Sequence, residues 1–200
     1  MSRSSLRAGF VFAFLGVAIF VTAQTVTLEL PSGITTVDAF IEYRDANADS
    51  PEGGAAVFLL SMLLWETDPA LGHDAMVIAL DASELRAHAE GYRGFTLGNR
   101  ATDFTSRYLV PRPFLARSYL VGTSPGNGYH APGLWTIELS RNPSSVISED
   151  RVKVFVTSTG ADSSRPITLQ RNNRGVWKAY EFSSLFVGIR PPQEEEDDPL

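Results

Sequence analysis

Ser50-Pro51-Glu52-Gly53-Gly54-Ala55-Ala56-Val57-Phe58-Leu59-Leu60-Ser61-Met62-Leu63-Leu64-Trp65 opens with three helix-start signals and continues almost without a polar side chain. Ser50 is a good N-cap, Pro51 suits the first helical position, and Glu52 favours the positive end of the helix. Ala56, Leu59, Leu60, Leu63 and Leu64 then recur at i, i+3, i+4, i+7 and i+8, while Val57, Phe58, Met62 and Trp65 make the other sides apolar. A helix that is apolar all round belongs in the middle of a core. This one is too short for the roughly 20 residues of a bilayer span.

Working outward from it, Val26, Leu28 and Leu30 alternate with Thr25, Thr27 and Glu29, the pattern of an edge strand with one buried face. Pro31, Ser32 and Gly33 end that strand, and Thr35 and Thr36, with Asp38 after them, predict a helix carrying Phe40, Ile41 and Tyr43. On the other side, Asp68-Pro69 repeats the cap-then-proline signal for a third helix through Leu71, Ala75, Ile78 and Ala79. Asp81-Ala82-Ser83-Glu84 predicts one further turn. Gly91, Gly94 and Gly98 mark a looser middle, Pro111 and Pro113 bracket a break, and Phe114 to Val121 fits helix and strand equally.

From Gly133 the period changes to two. Trp135, Ile137 and Leu139 alternate with polar neighbours, as do Val152, Val154 and Val156, and Ile167 and Leu169 lead into the turn Asn172-Asn173-Arg174-Gly175. Val176 to Phe182 then returns as the partner strand. Helices first and strands afterwards predict one α+β domain over residues 24–192, with N-terminal helices packed on a C-terminal antiparallel β-meander.

The first 23 residues read as a signal peptide: Arg3 and Arg7, an apolar run from Ala8 to Val21, and the small residues of Val21-Thr22-Ala23. The expected mature chain starts at Gln24, secreted or periplasmic, with no membrane association after cleavage. The chain has no cysteine, which excludes disulfides, thiolate catalysis and cysteine-bound metals. Without Arg3 and Arg7 the formal charge moves from −6 to −8. Glu194, Glu195, Glu196, Asp197 and Asp198 carry much of that charge, so residues 193–200 read as an acidic disordered tail after Pro191-Pro192. The remaining body is no footprint for nucleic acid.

Four stretches carry a resemblance. They are Tyr43-Arg44-Asp45-Ala46-Asn47 with Pro51-Glu52-Gly53; Ala116 to Tyr119 running to Thr123-Ser124-Pro125-Gly126-Asn127-Gly128-Tyr129; Ser158-Thr159-Gly160-Ala161-Asp162-Ser163-Ser164-Arg165-Pro166; and Leu185 to Pro191. In that order they resemble a family of secreted bacterial proteins known only as a domain of unknown function. The resemblance implies export and one domain, and it supplies no catalytic residue. The ending around Gly175-Val176-Trp177-Lys178 is also similar to the close of cone-shaped α+β domains of the NTF2-like kind, an analogy of fold alone.

Candidate chemistry is sparse. Asp45, Asn47 and Asp49 alternate like half a calcium loop, but Ser50 and Ala56 stand where its glycine and bidentate glutamate belong. His73, His88 and His130 lack ligand spacing, so no metal site is expected. Gly122-Thr123-Ser124-Pro125-Gly126 fits a nucleophile elbow by letter, yet Pro125 lacks the N–H that the oxyanion hole needs. The ligand-binding candidates are Asn127, Tyr129, Asp162 and Arg165. Asp162 and Arg165 are close enough in sequence to pair across a strand connection, or to leave a guanidinium facing a carboxylate ligand. No cofactor is expected. These features favour an exported, non-enzymatic binding or interaction module whose partner is an unknown ligand or envelope protein. The alternative is a hydrolase or lyase with a site between helices and sheet.

Overall fold

Helix α2 (Pro51–Thr67) is buried at Pro51 and at every residue from Gly53 to Leu64. The computed structural model describes residues 24–193; the expected leader and residues 194–200 of the expected tail lie outside them. The Ser50 hydroxyl accepts the Gly53 N–H at 3.1 Å and starts the helix as its sequence predicts. Helix α1 (Val37–Asn47) begins at Thr36 and helix α3 (Pro69–Ala79) at Asp68, each capped by its own side chain.

Strand β1 (Gln24–Leu30) precedes these helices, and a hairpin of β2 (Leu85–Tyr92) and β3 (Phe95–Leu97) follows them. Helices α4 (Asn99–Phe104) and α5 (Phe114–Arg117) come next, then β4 (Trp135–Arg141), β5 (Val146–Ser148), β6 (Arg151–Val156), β7 (Arg165–Arg171) and β8 (Trp177–Glu181). The main sheet runs β1-β4-β6-β7-β8, with β5 also paired to β6, and all of its pairings are antiparallel. The chain is therefore an α+β domain with helices against an antiparallel sheet, and β1 is an edge strand. No helix of the described residues is long and apolar enough to cross a membrane.

The period-two residues supply the sheet side of the core. Ile137, Leu139, Val154, Val156, Ile167, Leu169 and Ala179 are fully buried, and α2 contacts β6, β7 and β8. Burial of each large aliphatic side chain stabilises the fold by about 1.5–3 kcal/mol. Close approach at one end depends on Gly54, where a Cβ would lie 2.8 Å from both Cβ and the carbonyl oxygen of Trp177. The Trp177 N–H also donates to Ala48 O at 2.8 Å, tying β8 to the end of α1.

The middle of the chain is more ordered than its glycines suggest. Gly91 and Gly94 belong to the β2–β3 hairpin, which carries a register shift between Ala87 and Tyr92. Phe114 to Val121 resolves into the short α5 followed by turns, and the Val121 N–H donates to Thr136 O at 2.8 Å. Strand β5, exposed at all three residues, has no burial pattern from which to predict it.

Candidate functional site

Trp65 stands half-buried at the last turns of α2, just before Asp68 ends that helix and starts α3. Facing it is the continuation of α4, where Thr105–Leu109 form a π-helical turn and the Val110 N–H donates to Thr105 O at 2.9 Å. Such wide turns are frequent at functional sites. Here the turn carries Leu109 and the exposed Val110 to the indole, before Pro111 and Pro113 stop the helix.

Two cavities adjoin at Trp65 and Val110. One, of about 320 Å³, is walled by Trp65, Glu66, Pro69, Leu109, Val110 and Pro113. The second, of about 250 Å³, adds His73, Arg86, Thr96, Leu97, Thr102, Thr105 and Ser106. Together they form a mainly apolar groove, whose second part also presents imidazole, guanidinium and hydroxyl groups. None of these residues belongs to the main sheet. Glu66 is held by Arg117 Nη1 at 2.7 Å, an ion pair in the wall of the first cavity.

The second cavity contains an ordered chain of side chains. His73 Nδ1 lies 3.1 Å from Asp74 Oδ1 and Nε2 lies 3.0 Å from Thr96 Oγ1. An ionised carboxylate only accepts, so Nδ1 donates to Asp74, and in the neutral imidazole Nε2 is then the acceptor for the Thr96 hydroxyl. The Trp65 ring packs edge-on against the imidazole with centroids 6.0 Å apart. Arg86 Nε donates to Leu97 O at 3.1 Å, which anchors its guanidinium at the same wall. Nothing in the sequence points to these three side chains together, because Thr96 lies 23 residues from His73 and reaches it only through the hairpin's fold.

The residues singled out from sequence lie elsewhere, around the C-terminal segment 188–193. Asn127 accepts the Ser124 N–H at 2.7 Å and donates to Gly122 O at 3.0 Å, while Ser124 Oγ accepts the Asn127 N–H. The elbow-like serine is thus the cap of a tight turn. Tyr129 is fully buried with a left-handed backbone (φ 54°), stacks on Phe114, and donates to Arg190 O at 2.7 Å. Burial raises the pKa of its phenol, against the opposing charge of Arg190.

The expected Asp162–Arg165 pair does not form. Arg165 Nη2 donates to Gly188 O at 2.8 Å, and Asp162, 94% exposed, lies 3.7 Å from Arg190. The reason is the returning chain: Gly188 has no strand partner for its carbonyl, and the guanidinium supplies one. The Arg190 N–H donates to Gly160 O and the Gln193 N–H to Pro125 O, each at 2.9 Å. Two of the stretches that carry the family resemblance therefore close as one clamp on a third, the C-terminal segment.

The half-calcium pattern is helical, not a loop. Asp45 and Asn47 lie in the last turns of α1, with Asp45 bonded to Arg44 and Asn47 Nδ2 donating to Tyr43 O at 2.7 Å. Among the described residues no group of three or more His, Asp or Glu side chains is arranged to hold a metal ion.

Residues 33–193 match the family described as Domain of unknown function (DUF6935), a span that includes both the Trp65 groove and the C-terminal clamp. The chain belongs to that family. No curated protein and no solved structure matches it.

Proposed function

We propose that this member of the family is an exported binding module that holds an amphipathic, anionic small molecule in the groove at Trp65. The carrying observation is the junction at Trp65 and Val110 of two mainly apolar cavities, the second of which adds His73, Arg86 and Thr96 to its wall. An apolar chain fits against Trp65, Pro69 and Leu109, and a carboxylate head fits beside Arg86 and His73. Concave sites with apolar walls and a few converging polar groups are the usual form of ligand pockets. The export part of the proposal rests on the leader-like residues 1–23.

The test is a titration with dodecanoate followed by tryptophan fluorescence, with dodecanol as the uncharged control. Saturable binding is expected, weaker for the alcohol. Val110→Glu, at an exposed position, should weaken dodecanoate at least tenfold, about 1.4 kcal/mol. Equal binding by wild type and Val110→Glu would defeat the proposal. Native mass spectrometry of protein recovered from its own host would show any retained ligand and its mass.

A further inference from the structure

The geometry points to an acyl-ester hydrolase activity in this groove, with Thr96 as nucleophile and His73 as general base; it rests on the groove being a ligand site. Asp74, His73 and Thr96 stand in one hydrogen-bonded line of 3.1 and 3.0 Å. Nucleophile, base and orienting carboxylate in that order form a constellation recognised by geometry and not by sequence position. His73 Nε2 is the hydrogen-bond partner of the Thr96 hydroxyl, which leaves the imidazole placed to take its proton. The His73 side chain is 31% exposed, and both His73 and Thr96 line the second cavity.

The reaction balances with water as the only co-reactant. Thr96 Oγ attacks the ester carbonyl carbon as its proton passes to His73 Nε2. The bond to the alcohol oxygen breaks, and the departing alcohol takes that proton. Water then attacks the acyl-threonine, giving a proton to Nε2, and the bond to Thr96 Oγ breaks as Oγ recovers the proton. The products are one carboxylic acid and one alcohol. Arg86, fixed through Nε, brings positive charge to the wall where the carbonyl oxygen becomes negative. The cavity walled by Trp65, Pro69 and Leu109 would hold the acyl chain, so esters of medium-chain acids are the substrate class. Asp74 acts through His73 by holding the tautomer whose Nε2 is unprotonated.

The decisive experiment treats the full chain with a fluorophosphonate probe and maps the adduct by peptide mass spectrometry, alongside hydrolysis of 4-nitrophenyl octanoate. Labelling of Thr96 is expected, together with ester turnover. His73→Ala should slow both by about a hundredfold or more. Thr96→Ser should keep the label, and imidazole ¹⁵N NMR should show the Nδ1–H tautomer in wild type and its loss in Asp74→Ala. Absence of label at Thr96 in protein that still binds dodecanoate overturns the hydrolase and spares the groove. Absence of both overturns the two together. Label on another residue, or ester turnover untouched by His73→Ala, also overturns it.

Discussion

The Tyr129 hydroxyl donates to the carbonyl oxygen of Arg190 across 61 residues of sequence at 2.7 Å, and this bond is the centre of the clamp on the C-terminal segment. It holds a residue whose backbone is left-handed, a conformation that costs a non-glycine residue about 1–2 kcal/mol. Stacking on Phe114, with centroids 5.4 Å apart, and complete burial offset that cost. Tyr129→Phe keeps the packing and strands the carbonyl. It should lower stability by about 1 kcal/mol, or about 2–4 °C in melting temperature. Calorimetry of the two proteins decides it, and an unchanged melting temperature would show that this bond adds nothing.

Asp162 and Arg165 should behave as strangers. Asp162 is almost fully exposed and its charge partner is Arg190, so Asp162→Asn should change stability by less than about 0.5 kcal/mol. Arg165→Ala removes the donor to Gly188 O and should cost about 1 kcal/mol. The double variant should equal the sum of the two, because they share no partner. A coupling energy between them in urea melts would restore the pairing read from sequence.

Arg100 joins the hairpin region to β8 in a way that lysine cannot copy. Its Nε and Nη2 reach the Glu84 carboxylate at 2.9 and 2.5 Å, Nη1 reaches Glu181 at 2.8 Å, and Nη2 also reaches Tyr180 O at 2.7 Å. The guanidinium lies over the Phe182 ring, 5.2 Å from its centroid. Lysine offers one charged point in place of this planar fork. Arg100→Lys should therefore destabilise by about 1–2 kcal/mol in equilibrium denaturation, and a neutral result would make the fork incidental.

These contacts show what sequence could and could not carry. The three helix starts at Thr36, Ser50 and Asp68 were legible because each cap acts on backbone within three residues of itself. The sheet was legible where one face is buried, as at Val152, Val154 and Val156, and illegible at Val146–Ser148, where neither face is. Tyr129 and Arg165 stood out in sequence, yet their partners are carbonyls of a segment with no periodicity of its own. The groove left no mark at all. Its parts come from α2, α3, the hairpin and a π-helical turn, and only the packing of those elements brings Trp65, His73 and Thr96 together.

Lys178 makes stability depend on pH in a direction that can be stated beforehand. It lies on β8 with its ammonium donating to Ile78 O near the end of α3. Burial lowers its pKa from 10.5 to about 8, assisted by Arg44 and Arg174 and opposed by Asp81 and Asp45. Below pH 8 both folded and unfolded chains carry the proton, and the buried charge opposes folding by a constant amount. Between pH 8 and 10.5 the folded chain loses the proton first, so the unfolded chain binds more protons and stability rises with pH. The tyrosines act in the opposite sense at higher pH. Burial raises Tyr43 from 10.0 to about 12 and raises Tyr119 and Tyr129 as well. Above pH 10 the unfolded phenols ionise first, and stability falls. Wild type should therefore gain stability from pH 8 toward pH 10 and lose it beyond, while Lys178→Met should lose the rise and keep the fall. Urea midpoints taken across that range for both proteins test the assignment. A flat wild-type profile below pH 10, or a rise that survives Lys178→Met, would show that another group controls it.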